Sequence, residues 1–317
     1  MAVIAIDLES TRLTCAIIGT SGKVIQREEI QLGNNAGAAV SLLIQKQIRK
    51  FLTAYSNDPI QIKSIGVSVP GISYSKTGNV WAPNIPGWEN YPLLQDIGNL
   101  VKGKNIRVKI ANNRTCCILG ETWLGTAKGC KNAIYMSAGN GIGTGILIDG
   151  RVLHGFNDAV GAAGWMTVNK PFKEEYKQTG FFEYKCSGKG LLRSVREALG
   201  NSANYTGPLK KKPAEELTIE DIFKAYTLKD ILAKNAIREF IEIWGMAMAN
   251  LTSVLNPEII VFGGPVFGPA SVLIPEIKNE ADKWAQPHNI QNVKFFSSKL
   301  GRDAGLYGAG QLVIGKI

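Results

Sequence analysis

The stretch Ala133-Ile134-Tyr135-Met136-Ser137-Ala138-Gly139-Asn140-Gly141-Ile142-Gly143-Thr144-Gly145-Ile146-Leu147-Ile148 decides the fold. Its two apolar runs, residues 133–137 and 145–148, flank a glycine-rich turn and read as two buried strands. The amino terminus carries the same pattern. Val3-Ile4-Ala5-Ile6-Asp7 and Leu13-Thr14-Cys15-Ala16-Ile17-Ile18 read as a strand pair, followed by a turn over residues 19–23 and a third strand at Val24-Ile25-Gln26. The repetition predicts two related α/β domains in one chain.

Between the two copies, Val40, Leu43, Ile44, Ile48 and Leu52 fall at helical spacing and predict a helix over residues 38–55. Residues 65–69 form a short apolar run closed by Pro70-Gly71, and residues 106–110 read as another strand. Further helices are expected over residues 115–124, 188–199, 218–225 and 229–255, with a last strand-turn at Ile259-Ile260-Val261-Phe262-Gly263-Gly264. Residues 202–217 are polar, contain Pro and Gly, and are expected to make a surface excursion.

Composition narrows the class. With 317 residues, 45% hydrophobic and 20% charged, the chain is long enough for two domains with separate cores. No stretch approaches the roughly 20 apolar residues of a membrane span. The start Met-Ala-Val-Ile-Ala-Ile-Asp lacks the basic and apolar regions of a signal peptide, so a cytoplasmic protein without membrane association is expected. Five cysteines form no C-x-x-C pair and are expected reduced, and two histidines are too few for a His-based metal site. The net charge of +10 raises nucleic-acid binding, but the lysines are scattered, and the run Lys210-Lys211-Lys212 lies beside Glu215-Glu216 in the polar connector. Direct nucleic-acid binding is therefore not expected.

Chemistry concentrates in the turns. Gly139, Gly141, Gly143 and Gly145 alternate between two strands, where absent Cβ atoms would let backbone N–H groups converge on an anion. Phe262-Gly263-Gly264-Pro265 ends a strand where a nucleotide can lie against backbone. Asp7-Leu8-Glu9-Ser10-Thr11 occupies the first strand-turn-strand and holds a carboxylate where a phosphate would be repelled. Asn112-Asn113 follows the 106–110 strand, at the strand exit where open α/β folds place chemistry. The pair reads either as a turn or as a catalytic position whose carboxylate has become an amide, which cannot take a proton.

Taken together, the chain resembles the ROK family of bacterial sugar kinases and sugar-responsive repressors. The resemblance runs almost end to end. It rests on Gly66-Val67-Ser68-Val69-Pro70-Gly71, on Gly78-Asn79-Val80-Trp81-Ala82-Pro83-Asn84-Ile85-Pro86-Gly87-Trp88, on residues 139–146, on Asn256-Pro257-Glu258 through Gly263-Gly264, and on Asp303-Ala304-Gly305-Leu306-Tyr307-Gly308-Ala309. The Ala-Pro-Asn-x-Pro-Gly-Trp segment is the most specific of these. The resemblance implies two actin/hexokinase-like (ribonuclease H-like) domains with an interdomain cleft, sugar at the hinge and ATP with Mg against the larger domain. The expected division is a small domain over residues 1–114, with a C-terminal helix at about 304–317 packing back on it, and a larger domain over 115–303. A homodimer is also implied.

The resemblance locates what differs as well. The family's Asp base falls on Asn113. Its Glu-x-Gly-His sugar motif falls on Ala162-Ala163-Gly164-Trp165, and Trp165 could pack in the core or face the cleft. Its Cys-rich zinc loop falls on residues 174–181, which hold no cysteine, so structural zinc is expected to be absent, with Tyr176, Phe181 and Phe182 forming an aromatic cluster instead. Its Asp-x-Gly-Gly-Thr phosphate turn falls on residues 7–11. Gly71, Asn84, Asn112 and Glu183 match sugar-contacting positions, with Trp165 beside them. Thr11, Gly139, Asn140, Gly141, Gly143, Gly263 and Gly264 match nucleotide- or phosphate-contacting ones. The expectation is a catalytically impaired sugar-kinase-like protein that binds a sugar, nucleotide or partner. An active hexose or N-acetylhexosamine kinase using Glu9, Asp158 or Glu183 as base, and a sugar-responsive regulator without its own DNA-binding domain, are the alternatives.

Overall fold

In a computed structural model of the chain, which describes residues 1–56 and 58–315, two five-stranded sheets share one topology. The first half runs β1 (Ala2–Leu8), β2 (Arg12–Gly19), β3 (Val24–Gln31), α1 (Ala38–Ala54), β4 (Ile62–Val69), β5 (Ile72–Ser73), β6 (Val80–Trp81), α2 (Leu93–Leu100), β7 (Arg107–Asn112) and α3 (Asn113–Trp123). The second half runs β8 (Ala133–Ala138), β9 (Ile142–Ile148), β10 (Arg151–Val152), α4 (Phe181–Cys186), α5 (Gly188–Gly200), α6 (Ile219–Thr227), α7 (Ile231–Leu255), β11 (Ile259–Gly263), α8 (Ile274–Trp284), α9 (Pro287–Ile290), β12 (Lys294–Ser297) and α10 (Ala304–Ile314).

The strand orders are β3-β2-β1-β4-β7 and β10-β9-β8-β11-β12. In each sheet the first three strands in sequence pair antiparallel, and the last two add parallel to the first. The internal echo is thus a duplication of topology. The C-terminal ends of the parallel strands, where such sheets bind ligands, carry the turn after Leu8, the loop after Val69, the Asn pair, the turn after Ala138 and Gly263-Gly264.

Three apolar layers hold the sheets together. One packs α1 and α2 against the first sheet through Val40, Ile44, Ile48, Phe51, Leu93 and Ile97. Another packs the helices of the second half on the outer face of the second sheet around Trp244 and Phe262. The middle layer joins both sheets through α3 and α10, with Val3, Ala5, Cys116, Ile118, Tyr135, Val261, Leu306 and Ala309 in one cluster.

The Asp303–Ala309 motif is explained by that middle layer. A Cβ on Gly308 would stand 1.6 Å from the Cys116 carbonyl oxygen, and one on Gly66 would stand 1.8 Å from that of Ala309. Only glycine lets α10 lie against both α3 and β4. The expected C-terminal helix is present through Ile314, and residues 316–317 lie outside the described ones.

Several elements differ from the sequence reading. β3 extends to Gln31, its alternating burial disguised by Arg27, Glu28 and Glu29 on an edge strand. The helices α2 and α8 and the strand β12 have no counterpart in that reading. β12 is a four-residue edge strand with one buried side chain, too short for a clear period-2 pattern. The expected 202–217 excursion is tied down: Leu209 and Leu217 are buried, Tyr205 donates to Asp230 at 2.7 Å, and Lys212 pairs with Asp221 at 2.9 Å. All five cysteines are free thiols. No helix among the described residues is long and apolar enough to cross a membrane.

Candidate functional site

Residues from both halves meet where α3 begins. β7 ends at Asn112, whose side-chain oxygen caps α3 by accepting from Thr115 N–H at 2.9 Å. Half of the Asn pair is therefore structural, and the Asn112 amide nitrogen donates to no partner among the described residues. Asn113 is the first residue of the helix, partly exposed, and its side chain makes no hydrogen bond among the described residues. Its amide stands at the expected base position without a carboxylate to replace it on the same turn.

The loop after β4 approaches from the first half. Gly71, at φ +80°, leaves no room for a side chain because a Cβ would meet the Trp81 carbonyl oxygen at 2.0 Å. The Ala-Pro-Asn-x-Pro-Gly-Trp segment folds as a closed turn. Ala82 N–H donates to Trp88 O at 2.7 Å, and the buried Trp88 indole donates to Gly37 O at 2.9 Å and stacks on Tyr91 at 4.8 Å. Asn84 is held exposed on that turn.

The glycine-rich segment is used differently from the sequence reading. Gly143 and Gly145 belong to β9 rather than to the turn, and their missing Cβ atoms make way for Arg114: its Cδ would lie 2.5 Å from a Cβ on Gly143, and its carbonyl oxygen 2.1 Å from one on Gly145. A Cβ on Gly141 would stand 2.6 Å from a Glu183 carboxylate oxygen, and that oxygen accepts from Ile142 N–H at 2.7 Å. Glu183 thus takes a backbone donor that an anion cradle would need. Burial raises the Glu183 pKa, with the Ile142 N–H and Lys189 opposing. The hairpin tip itself is Gly139-Asn140-Gly141. Gly139 faces Pro265 and its carbonyl accepts from Gly188 N–H at 2.8 Å, so the tip meets the starts of the Pro265 turn and of α5.

Gly263 and Gly264 are likewise taken by packing. A Cβ on Gly263 would lie 2.1 Å from the Tyr135 hydroxyl, and one on Gly264, at φ +84°, would lie 2.4 Å from the Ala138 carbonyl oxygen. These contacts bring Gly264 against the base of the Gly139 turn.

In the first turn, Glu9 is held by Arg12 at 2.7 Å, and Thr11 is exposed. Arg12 also reaches Glu29 at 3.4 Å, which Arg302 contacts at 3.0 Å, while Arg27 pairs with Asp303 at 2.8 Å. Asp7, at the end of β1, is buried; burial raises its pKa to about 7, with Glu9 and Asp303 adding to the rise and Ser68 and Arg12 opposing it. The buried Ser68 hydroxyl lies beside Asp7 on the paired strand and has no other hydrogen-bond partner among the described residues. The sequence reading passed over both Asp7 as a titrating group and Arg114. An apolar strand ending in Asp was the available signal for the first.

Of the Ala162-Ala163-Gly164-Trp165 segment, Gly164 lies against Glu183, while the Trp165 side chain is 56% exposed, which removes core packing from its two readings. Tyr176 packs edge-on against Phe181 and Tyr184, each at 5.2 Å, and Phe182 packs on Trp244 at 4.7 Å. The expected aromatic cluster forms around Tyr176, and residues 174–181 carry no cysteine or histidine. Asp158 links the halves, accepting from Ser75 N–H at 2.9 Å and from its hydroxyl at 3.0 Å.

Duplicated sheets, a shared middle layer and a site at the strand ends between them define an actin/hexokinase-like two-domain α/β protein. The chain matches the ROK family model over residues 3–316 and belongs to that family. It is 30% identical to a glucokinase of Halalkalibacterium halodurans over 98% of this chain and 94% of that one. It is 28% identical to a xylose repressor of Caldicellulosiruptor bescii over 99% of this chain and 78% of that one. Its fold matches that of a ROK family glucokinase from Streptomyces griseus in complex with glucose and AMPPNP, with a TM-score of 0.75 at 22% identity over 98% and 99% of the two chains.

Proposed function

We propose that this chain is a sugar-kinase-like protein of the ROK family that binds a sugar or nucleotide in the inter-lobe cleft and no longer transfers phosphoryl groups efficiently. The observation that carries the reading is Asn113: an amide stands where the family's base falls, and removing a general base costs about 10²–10⁴ in rate. The three carboxylates weighed as substitutes are engaged elsewhere. Glu9 pairs with Arg12, Asp158 with Ser75, and Glu183 with the Ile142 N–H. Sugar and nucleotide are the ligand classes to test because a structural neighbour holds glucose and AMPPNP.

For ATP and Mg the residues fit in part. The Gly139–Gly141 tip is the one stretch of the glycine-rich segment outside the strands, though Pro265 and Glu183 lie against it, and Asp7 with the neighbouring Ser68 hydroxyl offers oxygen donors at the phosphate turn. When bound, Mg-ATP would supply the phosphoryl donor. Against that fit, the Glu9–Arg12 pair fills the turn that the family keeps as glycines.

The test is ATP-dependent phosphorylation of glucose, mannose, fructose and N-acetylated hexoses by the full chain, expected to be negligible. Turnover near the enzyme median of roughly 10 s⁻¹ would refute the reading. Asn113→Asp is the companion: a rise of about 10²-fold or more would show that the nucleotide side survives, and no rise would place the defect in the Ala162–Trp165 segment or the first turn as well. The 30% identity to a glucokinase supports the active-kinase alternative, which the same assay decides.

A further inference from the structure

Arg114 is less engaged than the arginines that the fold ties down. Arg12, Arg27 and Arg302 each contact a carboxylate within 4.0 Å. Arg196, which does not, donates to the carbonyls of Ala214, Glu215 and Leu217. Arg114 makes no ion pair among the described residues, and its one hydrogen bond is a long contact of 3.3 Å to the Gly71 carbonyl. A guanidinium carries five donors, so most of its capacity is unspent.

Its location turns that deficit into a site. Arg114 follows Asn113 at the start of α3, its aliphatic part lies over Gly143 of β9, and its terminal nitrogen reaches Gly71 of the other half. The charge therefore sits between the lobes, beside two positions that match sugar-contacting residues. The side chain is half-buried, which keeps it reachable while removing much of its hydration. Burial lowers its pKa, and no neighbouring charge acts to restore it. A desolvated cation without a counter-charge is unfavourable until an anion meets it, and a guanidinium matches the two oxygens of a carboxylate or phosphate.

We propose that Arg114 makes the cleft selective for an anionic sugar or polyol, one carrying a carboxylate or phosphate group, over a neutral hexose. This rests on the reading above that the cleft binds a sugar-like ligand. It also accounts for a glycine at 143: any side chain there would displace the Arg114 stem.

The experiment is isothermal titration of the full chain with D-glucose, D-glucuronate and glucose 6-phosphate, using wild type, Arg114→Gln and Arg114→Lys. At least one anionic ligand is expected to bind wild type about 10-fold or more tightly than glucose. Arg114→Gln should weaken that anionic ligand by about 10- to 100-fold, as loss of a charge-assisted hydrogen bond does, and leave glucose within about 2-fold. Arg114→Lys keeps the charge without the fork and should fall between. Whichever anion binds identifies carboxylate or phosphate as the recognised group. Glucose binding more tightly than both anions to wild type would overturn the proposal while leaving the cleft-binding reading intact. Equal losses for neutral and anionic ligands in Arg114→Gln would overturn it too, showing an inter-lobe clamp. Binding of none of the three would overturn the proposal and leave a nucleotide, tested with ATP in the same titration, as the ligand class that the cleft reading still requires.

Discussion

Replacing Asp7 with Asn should remove a pH dependence that wild type carries. The Asp7 carboxyl is raised from 3.8 to about 7, chiefly because it is buried at the end of β1, where a Cβ on Gly305 of α10 would come within 2.6 Å of it. The folded protein thus holds this proton to higher pH than the unfolded chain does. Between about pH 4 and pH 7 the folded state binds more protons, so stability falls as pH rises through that window and the loss is complete above about 7. A shift of roughly three units, at about 1.4 kcal/mol each, makes the full loss about 4 kcal/mol. Asparagine is close to a neutral carboxyl in shape and does not titrate. Asp7→Asn should match wild type within about 1 kcal/mol at pH 4.5 and exceed it by about 3–4 kcal/mol at pH 8. Urea denaturation of both proteins at several pH values measures the difference, and subtracting the curves cancels groups common to the two. A wild type-minus-variant difference that stays constant from pH 4.5 to pH 8, or a variant less stable at pH 8, would refute the account of Asp7 as a carboxyl that burial keeps protonated.

Three further substitutions probe the frame of the fold. Gly308→Ala should lower stability by at least about 2 kcal/mol in urea, because its Cβ would collide with the Cys116 carbonyl, whereas Gly98→Ala in α2, with open space around it, should gain roughly 0.5–1 kcal/mol. Asp158→Ala should cost about 1.5 kcal/mol by the same measurement, since it removes two hydrogen bonds from exposed Ser75 to a carboxylate, and a change below about 0.5 kcal/mol would show that the contact between halves carries no load.

Much of the architecture was legible in the residues because burial imposes periodicity. The strands β1, β2 and β8 are mostly apolar runs, and the repeated strand-turn-strand motif marks the duplication. Edge strands and charged helices were harder. On β3 and β12 solvent faces permit charge, and on α8 the apolar positions are few, so local pattern carries little information there. The candidate site was half legible. Residue type alone shows that Asn113 cannot act as a base, and the glycines marked close approach correctly.

What those glycines approach was decided by tertiary structure. An absent Cβ announces that something comes near, but the neighbour belongs to a distant segment: Arg114 at Gly143, Glu183 at Gly141, Tyr135 at Gly263. The same holds for charge. The sequence by itself determined the family fold, the amide at position 113 and the missing cysteines at 174–181. Packing settles that burial pushes the Asp7 pKa up to about 7, that Trp165 stands exposed and that Arg114 has no counter-ion among the described residues, because desolvation and pairing depend on which segments the fold brings together.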